Sequence, residues 1–247
     1  MTVSQPVRHS WDLTPLEASA LQAELAPLVR SRRFRGELKL AAGADAAYLP
    51  ELNLAVAAAV LYDAKNRRVV ERAEAMVESR FPYRTGLLSF REAPVLLAAL
   101  ARLKGKPQVY LFDGQGRAHP KGLGLATHLG LWLGRPTVGC AKTRLVGRYG
   151  PVGSEAGDFS PLVSGGKEVG AVVRTRAGVK PVFISPGHLM DIPGAISVVL
   201  AVLAGYRQPE PLRLAHQQAN QLRAAVRNDP EAFRKELGSA RGRTSSV

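Results

Sequence analysis

Three carboxylates in this 247-residue chain sit in surroundings that make them candidates for chemistry. Asp45 lies within Ala41-Ala-Gly-Ala-Asp-Ala-Ala-Tyr48, a run of small and apolar residues. An ionised side chain there is costly unless hydrogen bonds or a metal ion hold it; the ordinary alternative is a turn residue at a strand end. Asp113 closes Val109-Tyr-Leu-Phe-Asp113 and precedes Gly114-Gln-Gly116. Strands of open α/β sheets hold ligands at their carboxyl ends, although a plain Asp-Gly turn reads the same way. Glu92 follows Ser89 by three residues, so it either closes a capping box or serves a site.

Charge separates these readings. Lys and Arg total 34 against 20 Asp and Glu, a formal +14, and arginine outnumbers lysine 25 to 9. The excess is concentrated: residues 84–148 carry a net +9, with Glu92 and Asp113 as their only acids. A basic folded centre suits a polyanion, most often nucleic acid. Acids left in such a surface repel phosphate unless a cation stands between them. Mg²⁺ takes carboxylate and water oxygens and bridges to phosphate, and two or three carboxylates around it support attack of water on a phosphodiester.

Other residues are less telling. His119 follows Asp113 in a loop and His216 lies on a late helix; each reads equally as a core or surface histidine. Lys142 ends a strand after Gly139-Cys-Ala141, where its charge emerges at a sheet edge or a site. Tyr83, in Phe81-Pro-Tyr-Arg-Thr-Gly86, is either packed in a turn or free to stack on bases.

The elements that would position these residues can be read from pattern. Thr14-Pro-Leu-Glu17 is a capping box with proline at the first helical position, and apolar spacing predicts a helix over about 15–34. Strands are expected near 39–48, 53–62 and 68–78, the second almost wholly apolar as in a strand covered on both faces. Asp63-Ala-Lys-Asn66 is a turn signal, so these three read as an antiparallel meander. A helix from Ser89 to about Leu103 follows, then a strand at 108–113, a Gly-rich loop, and a helix over about 123–133. A strand at 136–142 comes next, parallel because a helix precedes it. Strands near 168–175 and 180–185 and helices near 192–205 and 211–227 complete the series. The Gly-, Pro- and Ser-rich stretch 149–167 reads as a surface excursion. The expectation is one α/β domain over 1–237 with a central mixed β-sheet flanked by helices, and a loose tail over 238–247.

Several classes are excluded. No apolar run approaches the roughly 18 residues of a membrane span. The N-terminus lacks the pattern of a secretion signal, and one cysteine, Cys140, supports neither a disulfide framework nor a multi-cysteine zinc site. A cytoplasmic location without membrane contact is expected.

Taken in order, the motifs resemble the endonuclease V family of the ribonuclease H-like fold. The matching stretches are Ala42-Gly-Ala-Asp45 with Tyr48, Phe81-Pro-Tyr83, and Gly86-Leu-Leu-Ser-Phe-Arg-Glu92. They continue through Asp113-Gly-Gln-Gly116, Ala118-His-Pro120 and Gly124-Leu-Ala-Thr-His-Leu-Gly130. Gly139-Cys-Ala-Lys142, Lys180-Pro-Val-Phe-Ile-Ser-Pro-Gly-His188 and Arg213-Leu-Ala-His216 complete the set. The resemblance spans about residues 14–220. It implies Mg²⁺-dependent hydrolysis, with Mn²⁺ as a substitute, of the second phosphodiester 3′ to deoxyinosine in DNA, leaving 3′-hydroxyl and 5′-phosphate ends. It implies metal ligation by Asp45 and Asp113, with Glu92 joining directly or through water. His216 would stand near the metal, Lys142 on the reacting phosphate, and Tyr83 in a wedge filling the gap left by a flipped base. Gly86, Leu88, Gly114, Gly116 and His119 would surround hypoxanthine. No obligate protein partner is implied. Where the family wedge reads Pro-Tyr-Ile-Pro, this chain has Pro82-Tyr83-Arg84-Thr85, which predicts a looser loop with an added phosphate-seeking charge. The alternatives are the same fold acting on inosine-containing RNA or on mismatched or branched DNA, or a non-catalytic basic nucleic-acid-binding module.

Overall fold

The computed structural model describes residues 5–231 and Phe233, so the tail expected at 238–247 lies outside the described residues. The first helix, α1 (Pro15–Leu25), opens with the predicted box. Thr14 Oγ1 accepts the Glu17 N–H at 3.3 Å, and Glu17 Oε2 accepts the Thr14 N–H at 2.8 Å. It ends well short of residue 34, in a single 3₁₀ turn, Ala26–Leu28. Pro27 explains the stop, because proline supplies no N–H to the ladder and disfavours the α conformation before it.

The expected meander follows as β1 (Leu40–Leu49), β2 (Leu54–Asp63) and β3 (Arg68–Glu78), paired antiparallel in sequence order. Asp63 Oδ1 accepts the Asn66 N–H at 2.9 Å and closes the second turn. Then come α2 (Leu88–Ala101), β4 (Val109–Phe112), α3 (Leu125–Leu133) and β5 (Thr137–Ala141). β4 lies parallel to β1, and β5 parallel to β4. The chain continues as β6 (Phe159–Ser164), β7 (Lys167–Val173), β8 (Val182–Pro186), α4 (Ile192–Ala201) and α5 (Glu210–Asn228). The strands form one mixed sheet in the order β3-β2-β1-β4-β5-β8-β7-β6. β6 corrects the reading of 149–167 as a plain excursion. Pro161 and flanking glycines mask the strand pattern, and proline is tolerated there because β6 is an edge.

Side-chain alternation along the strands divides the core between the two faces. On one face Leu111, Val138 and Ile184 pack against Val198, Val199 and Leu212 of α4 and α5. On the other, Ala57, Leu61 and Phe112 pack against Leu96, Leu100 and Leu129 of α2 and α3. β2, buried from Leu54 through Tyr62, serves both. Each fully buried Leu or Phe contributes about 1.5–3 kcal/mol, so both faces are firmly covered. Gly43 lets α5 settle close on β1: a Cβ there would lie 2.4 Å from the carbonyl carbon of Pro211 and 2.6 Å from the nitrogen of Leu212. No helix among the described residues is long and apolar enough to cross a membrane.

Candidate active site

Register brings the two aspartates together. Ala44 of β1 pairs with Phe112 of β4, so the next residues, Asp45 and Asp113, emerge side by side where β4 ends. Both continue the face lined by Ala41 and Leu111 and covered by α4 and α5. α5, seated against Gly43, carries His216 to the same place, with His216 Nδ1 2.6 Å from Asp45 Oδ2. One ligand atom from each of Asp45, Asp113 and His216 lies within 4.8 Å of the others. Lys142 directly follows β5, and its Nζ donates to Asp113 Oδ2 at 2.8 Å.

Glu92 belongs to this group electrostatically. The proposed capping box at Ser89 does not form: α2 begins at Leu88 with no side-chain cap. Ser89 Oγ instead meets His128 Nδ1 at 2.9 Å. Burial first, then the charges of Asp45 and Asp113, push the Glu92 carboxyl up to about 8. Burial also raises Asp45; Asp113 adds to the rise and His216 opposes it. Carboxyls crowded in this way repel one another, and a divalent cation relieves that repulsion. The oxygen-rich donor set, completed by one imidazole, therefore fits a metal ion.

Beside the cluster a cavity of about 410 Å³ opens between the starts of α2 and α3, and Asp113 and Lys142 lie on its border. This volume lies in the range of small-molecule sites. Its lining includes Tyr83, Gly86, Leu88, Gly114 and His119. Gly86 turns the wall with φ +84°, a conformation that favours glycine. Its carbonyl accepts Gln22 Nε2 at 2.8 Å and faces His119 Nε2 at 3.0 Å. Burial lowers the pKa of His119, favouring the neutral ring. Gly116 lies behind the lining, its N–H donating to Ser185 Oγ at 2.7 Å.

The endonuclease V family model matches residues 23–217, most of the chain. The chain belongs to the endonuclease V family. An endonuclease V from Dehalococcoides mccartyi is 46% identical over 222 residues, 90% of this chain and 100% of that protein. The crystal structure of the Streptomyces avermitilis endonuclease V superposes with a TM-score of 0.83 at 41% identity, covering 92% of this chain and 100% of that one. The Ciona intestinalis endonuclease V, solved with a 24mer DNA containing an inosine followed by a ribo-adenosine, superposes with a TM-score of 0.76 at 25% identity, covering 85% and 98%. The mixed sheet with its flanking helices is the ribonuclease H-like fold of this family, and the chain is a nuclease, not a non-catalytic binding module.

Within this endonuclease V architecture, Tyr83 stands out from its loop, 64% exposed. Arg84 and Thr85 line the cavity beside it. The Leu87 N–H closes a turn onto the Arg84 carbonyl at 2.9 Å. Several neighbours escaped notice as site residues in the sequence. Gln208 Nε2 donates to Asp113 Oδ2 at 3.2 Å. Arg207 Nη2 holds the Lys142 carbonyl at 2.9 Å. Tyr48 lies beneath the Arg91 guanidinium at 4.0 Å from the ring centroid, and burial raises its pKa, with Glu92 adding to the rise. Tyr48 was visible in the sequence only as part of the Asp45 stretch, and Gln22 is a buried polar residue of α1.

Proposed function

We propose that this nuclease recognises deoxyinosine in DNA and hydrolyses the second phosphodiester 3′ to it, leaving 3′-hydroxyl and 5′-phosphate ends. One observation carries the reading: a cavity roomy enough for a purine base adjoins the carboxylate–histidine cluster at Asp113 and its partner Lys142. The DNA bound by the Ciona intestinalis relative, which contains inosine, supports the same substrate class.

The residues then divide the work. Gly86, Leu88, Gly114 and His119 enclose hypoxanthine, with Gly116 supporting the wall from behind. Tyr83 fills the gap in the duplex; a mispaired base costs less to unstack than a normal one. Lys142 Nζ holds a phosphate oxygen, and Asp113 and the Arg207–carbonyl bond fix its position. Asp45 at Nδ1 and Asn220 Nδ2, 3.2 Å from Nε2, hold the His216 ring beside the cluster, where it would help to orient the attacking water. Asp45, Asp113 and Glu92 are the proposed metal-binding carboxylates, with the His216 ring beside them. When bound there, Mg²⁺ or Mn²⁺ supplies Lewis acidity at the phosphate and eases ionisation of water. Residues 1–237 are taken as the catalytic domain, with no obligate protein partner.

The base pocket is tested by binding without cutting. Asp113→Ala, compared on duplexes carrying inosine or adenine at one position, should bind the inosine duplex at least about tenfold more tightly, a difference of about 1.4 kcal/mol. Equal affinity for both would contradict the pocket assignment. An RNA arm with the same sequence shows whether the preference belongs to DNA.

A further inference from the structure

Tyr206, in the connection between α4 and α5, leaves 48% of its surface exposed, yet it is fixed in place. The Arg213 guanidinium carbon lies 4.1 Å from its ring centroid. Arg213 is locked in turn by two bonds to Glu210, Nε to Oε2 at 2.8 Å and Nη2 to Oε1 at 2.7 Å. A planar cation held this way backs an aromatic ring without further loss of its own rotamer freedom. One face of the ring is covered, and the exposed area lies on the remainder.

The position of this ring is as informative as its support. The adjacent Arg207 holds the carbonyl of Lys142, and Gln208 reaches Asp113. Arg213 precedes His216 by about one helical turn. Tyr206 therefore stands at the rim of the carboxylate cluster. The cavity lies at the starts of α2 and α3, the α4–α5 connection lies on the other side of the sheet, and the cluster emerges at the strand ends on the α4–α5 face. On the deoxyinosine reading, a strand whose inosine entered the cavity and whose phosphate crossed the cluster would continue past Tyr206. Resting on the deoxyinosine reading, we propose that Tyr206, backed by Arg213, is the stacking platform for the nucleobase immediately 3′ of the cut phosphate. Such stacking tolerates any base, since every base presents a π-face.

A double cycle tests it. On an inosine duplex, Tyr206→Ala should lower kcat/KM about tenfold, within the range for loss of one base–aromatic stack. Wild type should lose the same when the nucleotide 3′ of the cut is abasic, and the variant should lose no more on that abasic duplex. Independent, multiplying losses would overturn the platform, as would full activity of Tyr206→Ala. A second measurement needs no cleavage. With 2-aminopurine at that position and EDTA keeping the strand intact, binding of wild type and Tyr206→Phe should quench fluorescence, and Tyr206→Ala should not. Equal quenching by all three would overturn the proposal. Failure of the underlying reading looks different: quenching that depends on Tyr206, with no cut 3′ to inosine, refutes the deoxyinosine activity and still supports stacking.

Discussion

At the scale of single residues, the site rests on carboxylates that are expensive to keep together. Asp45 and Asp113 lie side by side through strand register, and Glu92 adds a third carboxyl whose pKa burial and those two charges raise to about 8. Asp113→Ala should lower cleavage by on the order of a thousandfold or more, since several kcal/mol of stabilisation at the phosphate depend on the metal it would hold. Duplex binding, measured by gel shift, should change much less; retained cleavage would remove Asp113 from the metal assignment. Asp45 was visible in the sequence as a charge among small apolar residues, whereas Asp113 also read as a plain Asp-Gly turn until strand register placed it beside Asp45. Glu92 was ambiguous, as its spacing from Ser89 also fits a cap; in the fold Ser89 meets His128, and Glu92 is buried where it feels the charges of the two aspartates. Gln208 and Arg207 were not legible, since they gain meaning only when a loop 95 residues beyond Asp113 packs beside it.

At the scale of elements, two packing features hold the proposed catalytic groups in position. Gly43 admits the start of α5, which carries His216 to Asp45. Gly43→Ala would force backbone against backbone, so it should destabilise the fold by about 1–3 kcal/mol and weaken cleavage beyond that loss. Wild-type stability in urea titrations would contradict this close approach. The start of α2 is held by Ser89 on His128, whose Nε2 lies 2.8 Å from His9 Nε2. Burial, then the neighbouring His9, lowers His128 to about 3. A base with a depressed folded pKa keeps its stabilising neutral form above the unfolded value of about 6.5. Below that value the unfolded chain takes up the proton first, so stability is lost as pH falls toward the folded pKa. His128 should contribute a loss on the order of 1 kcal/mol per pH unit between about pH 6 and 4. His128→Gln should flatten that slope in unfolding curves; an unchanged slope would contradict the assignment. The alternating and buried strand patterns were readable in advance, and so was the parallel placement of β5. β6 was missed because Pro161 and its glycine-rich flanks resemble a loop, and α1 was overextended because helical spacing outweighed Pro27.

At the scale of the whole molecule, charge and topology converge on one place. The 84–148 stretch, with its net +9, supplies Arg84, Lys142 and Arg144 to the cavity border. Its only two acids join Asp45 at the adjoining carboxylates. A positive field of this kind draws in a phosphate backbone without regard to sequence, so selectivity must come from the cavity and cutting from the cluster. The most direct test of that division is cleavage of an end-labelled duplex carrying a single inosine, with Mg²⁺ and again with EDTA. The account predicts one cut at the second phosphodiester 3′ to inosine in Mg²⁺, and none with EDTA or with adenine at that position. Cutting that persists without the metal, or that ignores the inosine, would contradict it.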